Sequence, residues 1–242
     1  VITGWYTSHA ADSLTWPVTA SLMPLMRDST SLFVVLVATL YGGELIWRDR
    51  QLKADQIQDT LPAPAWVSYG GKLLAVIGAA TLVEVATVAG LMLLQLAQGY
   101  TRLQPGLYFQ GLVIGVGPTL IAMVALAFGV HAIVNQKFVG HLVVIVYWIG
   151  TIVLANLGLA YRLFHVGRPE GFIYSDMNGW GPFLPRLLVL GGYSIGWTLA
   201  LAAAGYLVLP RGAVTTWRER RRGAGRRWRG GTRLALAGCA AL

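Results

Sequence analysis

The sequence predicts an all-α fold, a polytopic bundle of transmembrane helices with five complete spans and the start of a sixth. Of its 242 residues, 55% are hydrophobic and 12% are charged, and the mean hydropathy is +0.59. A soluble domain carries roughly a quarter charged residues. Five apolar runs reach the roughly 20 residues that a spanning helix needs, and none alternates strictly like a membrane strand. The runs are 29–47, 72–97, 107–133, 138–159 and 186–209.

The distribution of basic residues predicts the orientation of these spans. Nine of the 19 Lys and Arg residues fall within 211–233. If that loop is cytoplasmic, alternation puts 14 basic residues on its side and five on the other, in agreement with the positive-inside rule. The charge excess is therefore a juxtamembrane feature that faces anionic lipid, and no nucleic-acid partner is expected.

The domain organisation follows from these runs. We expect an extracytoplasmic segment at 1–28, a membrane domain at 29–209 with an outer loop at 160–185, and an Arg-rich cytoplasmic loop at 210–233. Residues 234–242 open a further span. Because the chain starts with Val and stops within an apolar run, we expect it to be an internal fragment of a longer polypeptide. The single cysteine, Cys239, allows no disulfide framework.

A polar insert at 48–71 separates the first two apolar runs. The pattern predicts a cytoplasmic helix over 49–60 that is stopped by Pro62 and Pro64. Ala54, Ile57 and Leu61 share one face of this helix, so its amphipathicity is modest. The alternative interpretation is a solvated loop that merely joins two spans.

The insert and its flanks resemble the ABC-2 type transporter permeases. The shared pattern is an acidic residue at the end of a span, Arg-x-Arg, a polar helix, Leu-Pro-x-Pro, an aromatic residue and Gly-Lys-Leu-Leu. The matching residues are Glu44, Arg48, Asp49, Arg50, Ile57, Leu61, Pro62, Pro64, Trp66, Gly71 and Lys72. The resemblance implies that the insert is a coupling helix seated on a separate ABC ATPase subunit, which binds the ATP. The residues expected to couple the ATPase are Glu44, Arg48, Asp49, Arg50, Asp55, Ile57, Leu61 and Trp66.

A narrower resemblance covers essentially the whole chain. The segments YGGELIWRDR, DTLPAPAWV, GLYFQ, VNQKFVGHLVVIVYW, YSDMNGWGPFLPR and WRERRR are similar to bacterial permeases fused to a membrane alanyl aminopeptidase-like domain. This implies a bacterial inner membrane protein that pairs with a second permease half. It also implies an extracytoplasmic zinc peptidase domain in the parent protein, so that zinc belongs to that domain. The chain itself is expected to be no enzyme and to hold no cofactor.

Motifs for chemistry are missing from the sequence. There is no His-Glu-x-x-His zinc motif and no phosphate-binding loop around Lys72. No two of the four histidines stand at i, i+4 on one helix, so no metal site is expected. His131 and His141 flank a short turn and should reach similar depth. They form either a pair that binds haem or a quinone, or two interfacial histidines with polar partners.

Glu84 is the most suggestive single residue, because it lies near the middle of the run 72–97. A carboxylate there costs about 2.5–3.5 kcal/mol on insertion scales and has to face protein or water. One hypothesis places Glu84 on a substrate pathway. The other makes it a packing residue that is hydrogen-bonded to Thr81 or Thr87.

Three functions remain open at this point. The chain is a permease half of an exporter, the membrane anchor of a zinc aminopeptidase without transport of its own, or a haem- or quinone-binding membrane enzyme. The insert favours the first, because an anchor needs neither six spans nor a shaped cytoplasmic helix. The substrate cannot be identified from the sequence.

Overall fold

The computed structural model describes residues 16–54, 65–134, 136–159, 174–181, 183–209, 218 and 222–224. This part of the chain is almost entirely helical, with one isolated β-bridge between Ser175 and Gly179 and no strand. Five helices are long and apolar enough to cross a membrane, which identifies a membrane protein. They are α1 (Thr19–Gln51), α2 (Ala65–Ala97), α3 (Pro105–Val134), α4 (Lys137–Asn156) and α5 (Phe183–Val208).

Each predicted run corresponds to one helix, but α1 and α2 begin seven or more residues earlier than predicted. Helix α1 starts at Thr19 instead of residue 29, and it includes the charged residues Arg27 and Asp28, which pair with each other on the helix surface. Arg27 donates to both carboxylate oxygens of Asp28, at 2.7 and 3.0 Å. Helix α2 starts at Ala65 instead of residue 72. The Arg-rich loop, except Arg218 and 222–224, and the sixth run lie outside the described residues.

The predicted cytoplasmic helix over 49–60 is only partly visible. Asp49 does not start a separate helix, because α1 continues without a break through Gln51. Residues 52–54 then form a turn, and residues 55–64 lie outside the described part of the chain. The α-helical hydrogen bonds of α1 thus extend beyond its apolar run into the charged residues.

Helix α3 is the centre of the bundle. In its most apolar stretch 61% of the residues are buried, compared with 22% in α2, 17% in α4 and 22% in α5. A continuous stretch of α3 from Ala122 to Gly129 is buried on all sides. A helix that is apolar all round belongs in the interior of a bundle, so the other helices are arranged around this one.

Helix α5 packs most closely against α3, through small residues. A Cβ atom built on Gly205 would lie 2.9 Å from Cβ of Ala132 and 3.1 Å from Cα of Gly129. One on Gly129 would lie 2.8 Å from Cγ of Leu201. Small residues allow such backbone approach, which drives association in lipid because apolar burial alone gives little.

Two buried polar side chains of α2 join it to its neighbours. The Tyr69 hydroxyl donates to the Ala202 carbonyl on α5 at 2.9 Å, and its ring packs on Phe128 of α3. At the other end, the Gln95 amide donates to the Pro17 carbonyl at 2.7 Å and accepts from the Tyr108 hydroxyl at 3.1 Å. Cross-helix hydrogen bonds of this kind contribute about 0.6 kcal/mol each in membranes.

The two ends of the bundle differ in chemistry. At the end we call the aromatic end, Trp16 packs near Tyr100 and Trp180 donates to the side-chain oxygen of Gln110 on α3 at 3.0 Å. The opposite end, the basic end, carries Lys72 and the charged residues of the α1 terminus and α4 start. Their contacts include the ion pairs Asp49–Lys72 and Glu44–Lys137. Aromatic belts and basic loops are both typical of membrane interfaces.

A substitution at Gly205 tests the α3–α5 contact. We expect Gly205→Ala to lower the unfolding temperature in detergent, with a cost of about 1–3 kcal/mol for the forced backbone shift. Gly192→Ala on the same helix is the matched control, since nothing lies within 4 Å of a Cβ there. The control should be neutral or slightly stabilising, because alanine is the better helix former. Equal effects of the two substitutions would contradict the close contact.

Candidate functional site

The C-terminus of α1 fixes the direction in which the polar insert leaves the bundle. The helix ends in a Schellman motif: the Ala54 N–H donates to the Asp49 carbonyl at 2.8 Å, and the Lys53 N–H to the Arg50 carbonyl at 3.1 Å. Lys53 has a φ of 55°, which this motif requires and glycine usually supplies. A left-handed conformation costs an L-residue roughly 1–2 kcal/mol. The surrounding structure thus holds Lys53 in an unfavourable backbone conformation at this sharp turn.

An ion pair closes the insert at its base. The Lys72 ammonium on α2 donates to the Asp49 carboxylate at the end of α1, and these side chains are 21% and 24% exposed. Asp49 is the second residue of the insert and Lys72 is the residue that directly follows it. The pair therefore holds the two ends of the insert together at the basic end of the bundle.

Glu44 makes a second ion pair at the same end. Its carboxylate accepts a hydrogen bond from Lys137, the first residue of α4. Their proximity in the sequence predicts an ion-pair cluster of Glu44 with Arg48 and Arg50, but the two arginines act differently. Arg48 interacts with Glu44 only electrostatically, whereas the Arg50 guanidinium lies 5.0 Å from the centre of the Trp47 ring. Glu44 thus links α1 to α4, a contact between helices that spacing along α1 cannot predict.

The remaining residues of the predicted coupling set divide into two groups. Trp66 lies in the first turn of α2 and is 62% exposed, which suits an aromatic ring at the membrane interface. Asp55, Ile57 and Leu61 lie outside the described residues. The structure therefore places the two flanks of the insert, and the predicted contact face of the insert itself stays a prediction.

Glu84 lies in the middle of α2 and is fully buried. It shares one helix face with Val76 and Ala80, which are also fully buried. The hydroxyl protons of the two threonines proposed as its partners are used elsewhere, because Thr81 and Thr87 donate to carbonyls of their own helix at 2.8 and 3.0 Å. The carboxyl group is therefore directed into the protein interior.

His131 of α3 and His141 of α4 are in direct contact. Their ring centres are 4.7 Å apart and the rings meet at 73°. Two axial ligands on opposite faces of a haem, each with a metal–nitrogen bond of about 2 Å, would have ring centres about 6 Å apart. The observed spacing is too short for a porphyrin between the rings, so this arrangement does not support bis-histidine haem binding.

Metal ligands are sparse in the described residues. No group of three or more His, Cys, Asp or Glu side chains in this part of the chain is placed to hold a metal ion. The pair of histidines is the nearest approach to such a group. It comes from two helices, so the i, i+4 spacing of a metal site within one helix does not apply to it.

The buried hydrogen bonds of Gln95 and Tyr69 were not predicted from the sequence. Each polar atom lies within an otherwise apolar run, and its partners come from residues far away in the chain. A polar side chain inside a membrane helix normally faces the bundle, and this rule would have singled out Gln95. Tyr69 carries no such signal, because tyrosine is common near the ends of membrane helices.

A double-mutant cycle tests the ion pair at the base of the insert. We expect a coupling free energy of about 0.2–1 kcal/mol between Asp49→Asn and Lys72→Gln, as for partly exposed pairs. Lys72→Gln alone should destabilise more than Asp49→Asn alone, because it leaves a carboxylate beside the negative end of the α1 dipole. Unfolding temperatures in detergent give these values. Lys53→Gln at an exposed position is the control, and a coupling of zero would contradict the pair.

Comparisons with known proteins give no relative for this chain. No protein-family model, no curated protein and no solved structure matches it. The function of the site is therefore inferred from the residue pattern and from the contacts described above.

Proposed function

We propose that this chain is the membrane-spanning permease half of an ABC-2 type exporter, located in a bacterial inner membrane. A separate ATPase subunit hydrolyses ATP, and a second permease half completes the transport path. The observation that carries this proposal is the ion pair between Asp49 and Lys72, which closes the polar insert at its base. A simple connecting loop has no need for such a closure.

The contacts at the basic end support a way to transmit force from the insert to the membrane-spanning helices. The insert is continuous with α1 on one side and with α2 on the other, and Asp49 and Lys72 join these two helices at the point of entry. Glu44 and Lys137 extend the connection to α4. A push on the insert by an ATPase subunit would then move α1, α2 and the start of α4 together, as alternating access requires.

Alternating access also needs helices that can move against each other. Helices α2 and α4 bury only 22% and 17% of their most apolar stretches in this chain. Helix α5 buries the same 22%, but its backbone is in close contact with that of α3 at Gly129 and Gly205. We infer that α3 and α5 form the stationary unit and that α1, α2 and α4 rock against it.

Glu84 is the candidate residue of the substrate pathway in this proposal. Its fully buried carboxyl group lies on the face of α2 that packs towards α1 and α3. On this face α2, which is inferred to move, contacts α3 of the stationary unit. A change in the α2–α3 contact would therefore expose Glu84 first.

Capture of the ATPase subunit tests the proposed coupling. We expect the chain, co-expressed with the ABC ATPase that is encoded beside it, to retain that ATPase through purification. The double substitution Asp55→Lys, Ile57→Asp should reduce capture at least tenfold, because it reverses a charge and removes an apolar contact on the insert. Retained ATPase is measured from the subunit ratio after affinity purification.

The matched control places similar changes at the aromatic end. Thr101→Lys, Leu103→Asp lies in the turn between α2 and α3 and should leave capture unchanged. If the wild type captures no ATPase, the chain is better described as the membrane anchor of an extracytoplasmic zinc aminopeptidase. If both variants lose the ATPase equally, the insert has no special role.

Water access to position 84 tests the substrate pathway. We expect Glu84→Cys, in a background with Cys239→Ala, to react with a water-soluble maleimide in membrane vesicles. The reaction should be faster when the ATPase and ATP are present. A thiol reacts as thiolate, so labelling reports contact with water. Leu82→Cys is the control, because Leu82 is 70% exposed on the outer surface of α2 and should face lipid. Equal rates at both positions in every state would contradict the pathway.

A further inference from the structure

The ring of His131 occupies a space that two glycines on two other helices leave open. The ring is fully buried at the basic end of α3. A Cβ atom built on Gly43 of α1 would lie 2.8 Å from its Cε1 atom and 2.9 Å from its Nε2 atom. A Cβ on Gly140 of α4 would also collide with the ring. Three helices are therefore shaped around one imidazole.

Several buried polar atoms in this region have no hydrogen-bond partner among the described residues. Both ring nitrogens of His131, Nδ1 of His141 and Oγ1 of Thr39 are buried without a hydrogen-bond partner in the described part of the chain. An unsatisfied buried polar group costs about 1–3 kcal/mol. Three of these atoms belong to two rings that are in contact, and this concentration points to a ligand that they bind.

The backbone of α1 brings a carbonyl oxygen close to the two imidazole rings. Helix α1 has a π-helical turn over Val37–Tyr41, a distortion that is frequent at functional sites. Within this turn the backbone carbonyl of Thr39 lies beside both imidazole rings. It stays outside hydrogen-bonding geometry to either nitrogen of His131.

The spacing of the rings fits two ligands of one metal ion. Imidazole nitrogens bind Zn²⁺ at about 2.0–2.1 Å, which places two ring centres about 4.5–5.2 Å apart for ligand angles of roughly 90–109°. The observed distance between the ring centres is 4.7 Å. Both rings also direct their Cε1 edges, which lie between the two nitrogens, towards Gly43.

We propose that His131 and His141 bind a divalent transition-metal ion of the class that prefers imidazole, with Zn²⁺ as the representative ion. The Thr39 carbonyl supplies an oxygen from α1, and solvent takes the remaining positions. The site joins α1, α3 and α4 at the basic end, independently of whether the chain is a transporter.

The charges around the site permit a cation. Lys137 stands one turn before His141 on α4, but its ammonium is paired with the Glu44 carboxylate. Glu44 follows Gly43 in the sequence and acts electrostatically on His141 as well. Among the described residues, the charged groups that act on His141 are thus Lys137 and Glu44, whose charges cancel, so no net positive charge there repels a divalent cation.

Metal titration of the purified chain tests this site. The chain is prepared in detergent with an affinity tag that lacks histidine, stripped with a chelator and dialysed against Zn²⁺ in the presence of excess Mg²⁺. We expect one bound Zn²⁺ per chain by elemental analysis. His131→Gln and His141→Gln should each weaken binding at least tenfold, and the double variant should bind none at this site. Co²⁺ in place of Zn²⁺ should give visible absorption bands that the variants lack.

The control replaces the other two histidines and the single cysteine of the sequence. His9→Gln, His165→Gln, Cys239→Ala should keep the bound Zn²⁺. Monodisperse elution and helical circular dichroism verify each fold. If His131→Gln does not assemble, His141→Gln decides, because its side chain is only half-buried. Equal Zn²⁺ binding by the wild type and His141→Gln, or no binding by the wild type, would overturn the proposal.

Discussion

The approach of α5 to α3 is the contact on which the rest of the bundle depends. Lipid is as apolar as leucine, so helices in a membrane gain little from burying apolar side chains, and close backbone packing has to replace that gain. Gly129 and Gly205 provide it, since neither position has room for a Cβ atom. Once these helices are paired, α3 is enclosed and the other helices pack on the surface that the pair presents.

Polar side chains then decide how the outer helices attach to this pair. Tyr69 and Gln95 fasten α2 near its two ends, and the ion pairs at Asp49 and Glu44 join α1 to α2 and α4. These attachments are few and partly exposed at the basic end. That combination suits helices that move as a group, and it is the physical basis of the proposed transport function.

Much of this architecture could be predicted from the sequence, because apolar runs of sufficient length leave few alternatives. The positions of the helix ends could not be predicted. Near the start of α1, for example, Arg27 and Asp28 form an ion pair with each other on the helix surface, and the helix continues through them. Contacts between distant segments were also beyond prediction. Glu44 was expected beside Arg48 and Arg50 on its own helix, and its hydrogen bond goes to Lys137 instead. His131 and His141 were expected at similar depth, but the glycines that enclose one ring come from α1 and α4.

The enclosure of His131 makes three positions interdependent. Gly43, Gly140 and the imidazole occupy one volume, so a larger side chain at either glycine requires a smaller residue at position 131, and at Gly43 it requires a smaller residue at position 141 as well. Among homologous chains these positions should therefore vary together. A lineage that loses the imidazole would be free to enlarge Gly140, and the two residues would record in their variation whether the histidine had been retained for its chemistry or merely for its size.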